Sequence, residues 1–161
     1  VTIETTGLPN HTSVYWGAGN ALYKEEPNVE TTPSLMSSNN NATTITVDAT
    51  PNLTGSSVST QLNTIGIAVS GASIFNDQEG NGALSSNDDA NLVGILLDGV
   101  FLYGRKCNLT GNYPADLDAS GGHTSVTQYT SGLQEYHYHI INELYSTTGS
   151  YIAFAGPYKG Y

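Results

Sequence analysis

Short runs of β-branched or alternating residues, set between clusters of Gly, Asn, Pro and Ser, dominate this chain, and helical periodicity is nearly absent. A strand buries one face at a period of two, so such runs are stabilised only by pairing into sheets and packing those sheets on other elements. The 161 residues suffice for one domain. The pattern predicts a mainly β, single-domain fold over residues 1–161, an antiparallel β-sandwich or jelly-roll-like barrel with long loops. The expected strands are Val1–Thr6, Ser13–Trp16, Thr43–Val47, Ile65–Val69, Ala72–Phe75, Gly94–Leu97, Tyr136–Ile140 and Ile152–Phe154. Helix is entertained only around Leu92 and at Thr124–Tyr129.

Charge narrows the partners. Only 11% of residues are charged, and the formal net charge of -10 rests on four Lys and Arg against 14 Asp and Glu. Phosphate backbones and anionic membranes are repelled by such a surface, so no nucleic-acid partner is expected. The longest apolar run, Leu92–Tyr103, is broken by Gly94, Asp98 and Gly99, and no run reaches the roughly 18 residues of a membrane helix. A surface solvated by hydroxyls and amides, with an initial Val1, reads as a mature, secreted chain of the extracellular space or cell surface. Sequons at Asn10, Asn41, Asn52 and Asn108 are the candidate glycan sites. The lone Cys107 excludes an intrachain disulfide and fits a small buried hydrophobe, or a bridge between chains.

Tyr136-His137-Tyr138-His139 carries the most chemistry. Same-face residues on a strand lie roughly 6.6 Å apart, so the two histidines project together and the two tyrosines project from the other face. A third imidazole from another segment would complete a set with affinity for Zn or Cu, and His123, in the Gly121-Gly122-His123-Thr124 turn, is the candidate. Asp116 and Asp118 precede it at alternate positions, where they can orient histidines; Asp118 is carried as a candidate ligand. Alternating Tyr and His also builds a hydrogen-bonded core without any metal. The stretch Asn76–Asn91 gathers Asp77, Glu79, Asp88 and Asp89 among Gly and Asn, a composition that suits Ca²⁺, although without the ordered spacing of an EF-hand loop.

Several segments together resemble the YHYH-domain family. Gly66-Ile67-Ala68-Val69-Ser70-Gly71-Ala72-Ser73-Ile74-Phe75-Asn76 is similar to its Gly-rich segment ending in an aromatic and Asn. Asp98-Gly99-Val100-Phe101-Leu102-Tyr103-Gly104 is similar to its Asp-Gly-aromatic-Tyr-Gly turn. Leu117-Asp118, Gly122-His123, the YHYH motif and Gly156-Pro157-Tyr158-Lys159-Gly160 follow in the family's order, so the likeness spans residues 65–161. The resemblance implies an extracellular protein and no particular activity. Family members often carry a Cys where this chain has Ala119-Ser120-Gly121, so no thiolate is expected near the histidines.

Other chemistry is poorly supported. There is no Gly-x-Ser-x-Gly nucleophile elbow, and Asp116 with Asp118 on one strand face is an unusual source of glycosidase geometry. Tyr15, Trp16 and Tyr23, among 11 Tyr in all, leave a carbohydrate-binding surface open. Residues 1–16 form a candidate exchanged extension, in which Val1–Thr6, ahead of the Gly7-Leu8-Pro9 break, has the form of a strand that can be donated to a neighbour's sheet edge. The expectation is an extracellular structural or interaction protein, the repeating subunit of a surface filament, with a metal-holding histidine cluster. The alternatives are a metal-dependent secreted enzyme and a carbohydrate-binding module.

Overall fold

In the computed structural model, residues 1–8, 12, 16–25, 42–60, 64–75, 90–142, 154 and 156–161 are described. Eight strands run in order: β1 (Thr2–Thr5), β2 (Thr43–Thr46), β3 (Thr64–Ala68), β4 (Ser73–Phe75), β5 (Leu92–Leu96), β6 (Phe101–Tyr103), β7 (Gly122–Val126) and β8 (Gln134–His139). β1 and β2 form a two-stranded sheet, and the others a six-stranded sheet in the order β4-β3-β5-β6-β8-β7. The fold is mainly β and sandwich-like. The helical expectation fails at both places: Leu92 opens β5 and Thr124 lies within β7. Their β-branched and aromatic neighbours find cross-strand partners, and that packing overrides a weak local preference.

The antiparallel expectation holds for every pair except one. β6 and β8 run parallel, Leu102 opposite Tyr138 and Tyr103 opposite His139. A parallel pair needs a long crossover, and residues 104–133 provide it, carrying Cys107 and β7 across the sheet.

The sheet is covered on both faces. Ile65, Ile74, Leu96, Leu102, Tyr138 and Ile140 form the larger core with Phe154 and Tyr158 of the tail. On the opposite face Ile67, opposite Ile95, packs with Ile45 and Val47 beneath the β1–β2 sheet. A bulge between Thr64 and Gly66 accompanies the assignment of Ile65 to one core and Ile67 to the other. Following the register from Ile95 to Phe101, and from Tyr103 to His139, the histidine face of β8 continues the face that β1–β2 covers. The small sheet takes the β3–β5 half, and the histidines take the β6–β8–β7 half.

A buried carboxylate joins the two ends of the larger core. β5 and β6 are joined by Leu97-Asp98-Gly99, where Gly99 has φ 80° and its N–H bonds the Leu96 carbonyl at 3.0 Å. This is a type I turn closed by a left-handed glycine. Asp98, fully buried, accepts from the Tyr138 hydroxyl at 2.6 Å and the Gly160 N–H at 2.9 Å. The Asp-Gly turn, the YHYH motif and the closing Pro-Tyr segment thus meet at one carboxylate.

The N-terminal strand pairs within its own chain: Thr2 faces Thr46 and Thr5 faces Thr43. Val1 and Val47 also exchange bonds, its ammonium donating to the Val47 carbonyl and the Val47 N–H to the Val1 carbonyl, both at 2.8 Å. Donation to a neighbour therefore means exchanging β1 from this pairing.

Candidate metal centre

Strand alternation splits the YHYH motif between two environments. Tyr136 and Tyr138 face the larger core side, with rings edge to face at 5.5 Å. Tyr136 covers Gly122, where an added Cβ would come within 2.6 Å of the tyrosine ring, so β7 approaches only because it carries Gly there. His137 and His139, each 1% exposed, project from the other face. His123 on β7 stands opposite His137 in the antiparallel register and diagonal to His139. The three ring centroids form a nearly equilateral triangle with sides of 4.9, 5.0 and 4.9 Å.

Each ring has an oxygen partner at Nδ1. His139 Nδ1 is 2.6 Å from the Gly104 carbonyl, His137 Nδ1 is 2.9 Å from the Glu135 carbonyl, and His123 Nδ1 is 2.9 Å from Asp116 Oδ1. A carbonyl or carboxylate oxygen accepts, so all three Nδ1 atoms carry protons and Nε2 is left as the ligating nitrogen. His123 Nε2 and His139 Nε2 then face each other at 3.2 Å. Two lone pairs at that distance repel, so the gap calls for a positive centre. That centre is either a proton, making His123 an imidazolium against Asp116, or a metal ion. Nitrogens at about 2.0 Å from a tetrahedral ion lie about 3.3 Å apart, and the rings they belong to are centred about 5.1 Å apart. The observed geometry is close to both.

Burial favours neutral imidazoles. It pushes His139 down to about 4, despite the opposing effect of the Gly104 carbonyl, and it also lowers His137. The hydrogen bond from His123 holds Asp116 below the usual carboxylate range. A cluster of neutral nitrogens is the form that takes a metal at neutral pH.

The structure also corrects the expectation that no thiol lies near the site. Cys107, 2% exposed, brings Sγ to the cluster; its sulfur and one ring nitrogen each from His123 and His139 lie within 4.8 Å of one another. These three groups could hold a metal ion. His137 does not belong to that closest set and meets the other two rings edge to face. Residue spacing could not reveal Cys107, because the β6–β8 crossover brings it over the sheet. Asp116 was legible only as one of two alternating acids.

Asp118 takes a different place. Its carboxylate accepts from the Tyr136 hydroxyl at 2.9 Å and from the N–H groups of Ser120 and Gly122 at 2.9 and 3.2 Å. It shapes the turn into β7 from the tyrosine side rather than meeting the ligating nitrogens. Asn52 and Asn108 are exposed. Asn10, Asn41, Tyr15 and the acidic stretch with Asp77, Glu79, Asp88 and Asp89 lie outside the described residues. Trp16 is half-buried and Tyr23 exposed. No helix among the described residues is long and apolar enough to cross a membrane.

Compared with family models, curated proteins and solved structures, the chain matches none.

Proposed function

We propose that this chain is an extracellular structural and interaction domain built around one transition-metal ion, held by Nε2 of His123 and His139 with the His137 ring packed edge to face against both. The observation that carries the reading is the 3.2 Å approach of two Nε2 atoms whose Nδ1 partners are both oxygen acceptors. Zn and Cu suit an imidazole set in this geometry better than oxygen-seeking ions do. Bound there, the ion ties β7 to β8 and staples the end of the sheet. Low charge, hydroxyl-rich composition and the exposed sequons at Asn52 and Asn108 support an extracellular setting with glycans. Exchange of β1 between copies would extend such domains into a filament, since head-to-tail donation propagates unless it closes a ring.

Metal analysis of the native chain before and after chelation tests the reading, with a His123→Ala/His139→Ala variant alongside. About one ion per chain, absent from the variant, is expected. A chain that takes up neither zinc nor copper would leave a proton in the gap and refute the proposal.

A second reading, a metal-dependent enzyme or carbohydrate-binding module, draws on a cleft of about 540 Å³ beside the cluster, lined by Leu92, Phe101, Tyr103, Tyr129 and Leu133 among others. Tyr103 joins the two places, its ring 5.1 Å from that of His137. Calorimetric titration with oligosaccharides, metal-loaded and metal-free, separates this reading from a purely structural centre.

A further inference from the structure

Resting on the metal-binding reading above, we infer that Cys107 is a thiolate ligand of the ion, so that the centre selects a thiophilic metal, zinc or copper, over calcium, magnesium or manganese. Three observations converge. The first is position. His123 and Ser125 alternate on one face of β7, and Cys107 Sγ lies 3.2 Å from Ser125 Oγ while reaching ring nitrogens of both His123 and His139 within 4.8 Å. Zn–S of about 2.3 Å and Zn–N of about 2.0 Å place S and N about 3.5 Å apart in a tetrahedral site, so from a separation within 4.8 Å the sulfur needs to swing inward by about 1.3 Å at most.

The second is how Cys107 is held. Its N–H donates to the Asn112 carbonyl at 2.9 Å, and its own carbonyl accepts from the Gly111 N–H at 2.8 Å. The backbone is thus anchored in a closed turn, and side-chain rotation is the remaining freedom.

The third is charge. A divalent ion held by uncharged imidazole nitrogens of His123 and His139 leaves two positive charges in a buried place, and Asp116 offsets one of them from the exposed side of His123. A thiolate supplies the second negative charge, and an uncompensated buried charge is costly. Its proton leaves to solvent as the metal–sulfur bond forms, and no oxidation state changes.

The facing Nε2 atoms supply the independent reason for a cation here, so the cysteine does not stand alone as evidence.

The full chain, reduced and stripped with a chelator, is titrated with cobalt(II), whose thiolate complexes show a sulfur-to-metal charge-transfer band in the near ultraviolet. The inference expects that band to saturate at one equivalent, to be displaced by zinc, and to vanish in Cys107→Ser. Because Cys107 is the one cysteine of the chain, the band in the unaltered protein decides the matter even if the variant does not fold. Cobalt bound without the band, and lost in His123→Ala, overturns the thiolate ligand and leaves the histidine site standing. A band that persists in folded Cys107→Ser also overturns it. Uptake of neither cobalt nor zinc overturns both.

Discussion

His139 Nε2 lies 3.2 Å from His123 Nε2, while His139 Nδ1 is bound to the Gly104 carbonyl and His123 Nδ1 to Asp116. The two rings belong to different strands, and each is oriented from behind by an oxygen. The pair is a preformed position for a positive centre.

Asp116→Ala removes the acceptor that holds His123 in its Nδ1–H form. Metal affinity should fall by roughly 10–100-fold, as for other groups that orient a ligating histidine. The Asp116 side chain is 73% exposed, so unfolding of the metal-free chain should barely change. Competition against a chromophoric chelator measures the first effect and urea denaturation the second. Unaltered affinity would show that the carboxylate does not orient the ligand.

Metal removal should lower the melting temperature. At free metal a hundredfold above the dissociation constant, linkage gives about 2.7 kcal/mol, or roughly 5–10 °C for a domain of this size. Calorimetry with and without chelator, extended to His139→Ala, checks it. A chelator shift of equal size in that variant would place the stabilising ion elsewhere.

The metal-free protein should lose stability as pH falls from about 6.5 to about 4. Burial holds His139 near 4 in the fold, against about 6.5 in the unfolded chain. In that window the unfolded chain binds a proton that the folded chain does not, so its contribution is fully present above 6.5 and declines on acidification. Its size is roughly 3 kcal/mol. His137 acts in the same direction, while Asp116 titrates lower; His123, Tyr103 and Cys107 are the other groups facing the ring. Urea midpoints across this range should fall less steeply in His139→Gln, and equal slopes would refute the assignment.

Tyr138→Phe should cost about 1–3 kcal/mol by removing the hydroxyl that bonds buried Asp98 and receives the Lys159 N–H at 2.6 Å. Because Tyr138 lies across the sheet from the histidines, metal affinity should stay within a few-fold. Denaturation and metal titration on the same variant separate the two faces of the motif. A large loss of metal binding in a folded variant would contradict that separation.

Deleting residues 1–6 should abolish self-association. β1 pairs with β2 alone in a two-stranded sheet, a unit of marginal stability by itself that can re-form with a neighbour's strand. Light scattering of full-length and truncated chains decides it. A full-length chain that stays monomeric at high concentration would remove the filament reading.

Period-two alternation was enough to read a strand at Tyr136–Ile140, where β8 runs over Gln134–His139, and to place His137 and His139 on one face, because the side chains of a strand alternate whatever the strand packs against. Short β-branched runs between turn formers likewise marked β1 to β4, since each run can be buried only in a sheet. Gly122–Val126 was not legible as a strand. Its five residues are mixed in polarity, and antiparallel pairing with residues 134–138 of β8 is what holds them. The parallel β6–β8 pair and its crossover were equally hidden, and they decide that Cys107 arrives at the histidines and that Asp116, rather than Asp118, supports His123. Local sequence governs which way a side chain points from its own strand. Which side chains meet depends on long-range register, set by burying Leu102, Tyr138 and Ile140 in a common core, and no spacing along the chain encodes that distance.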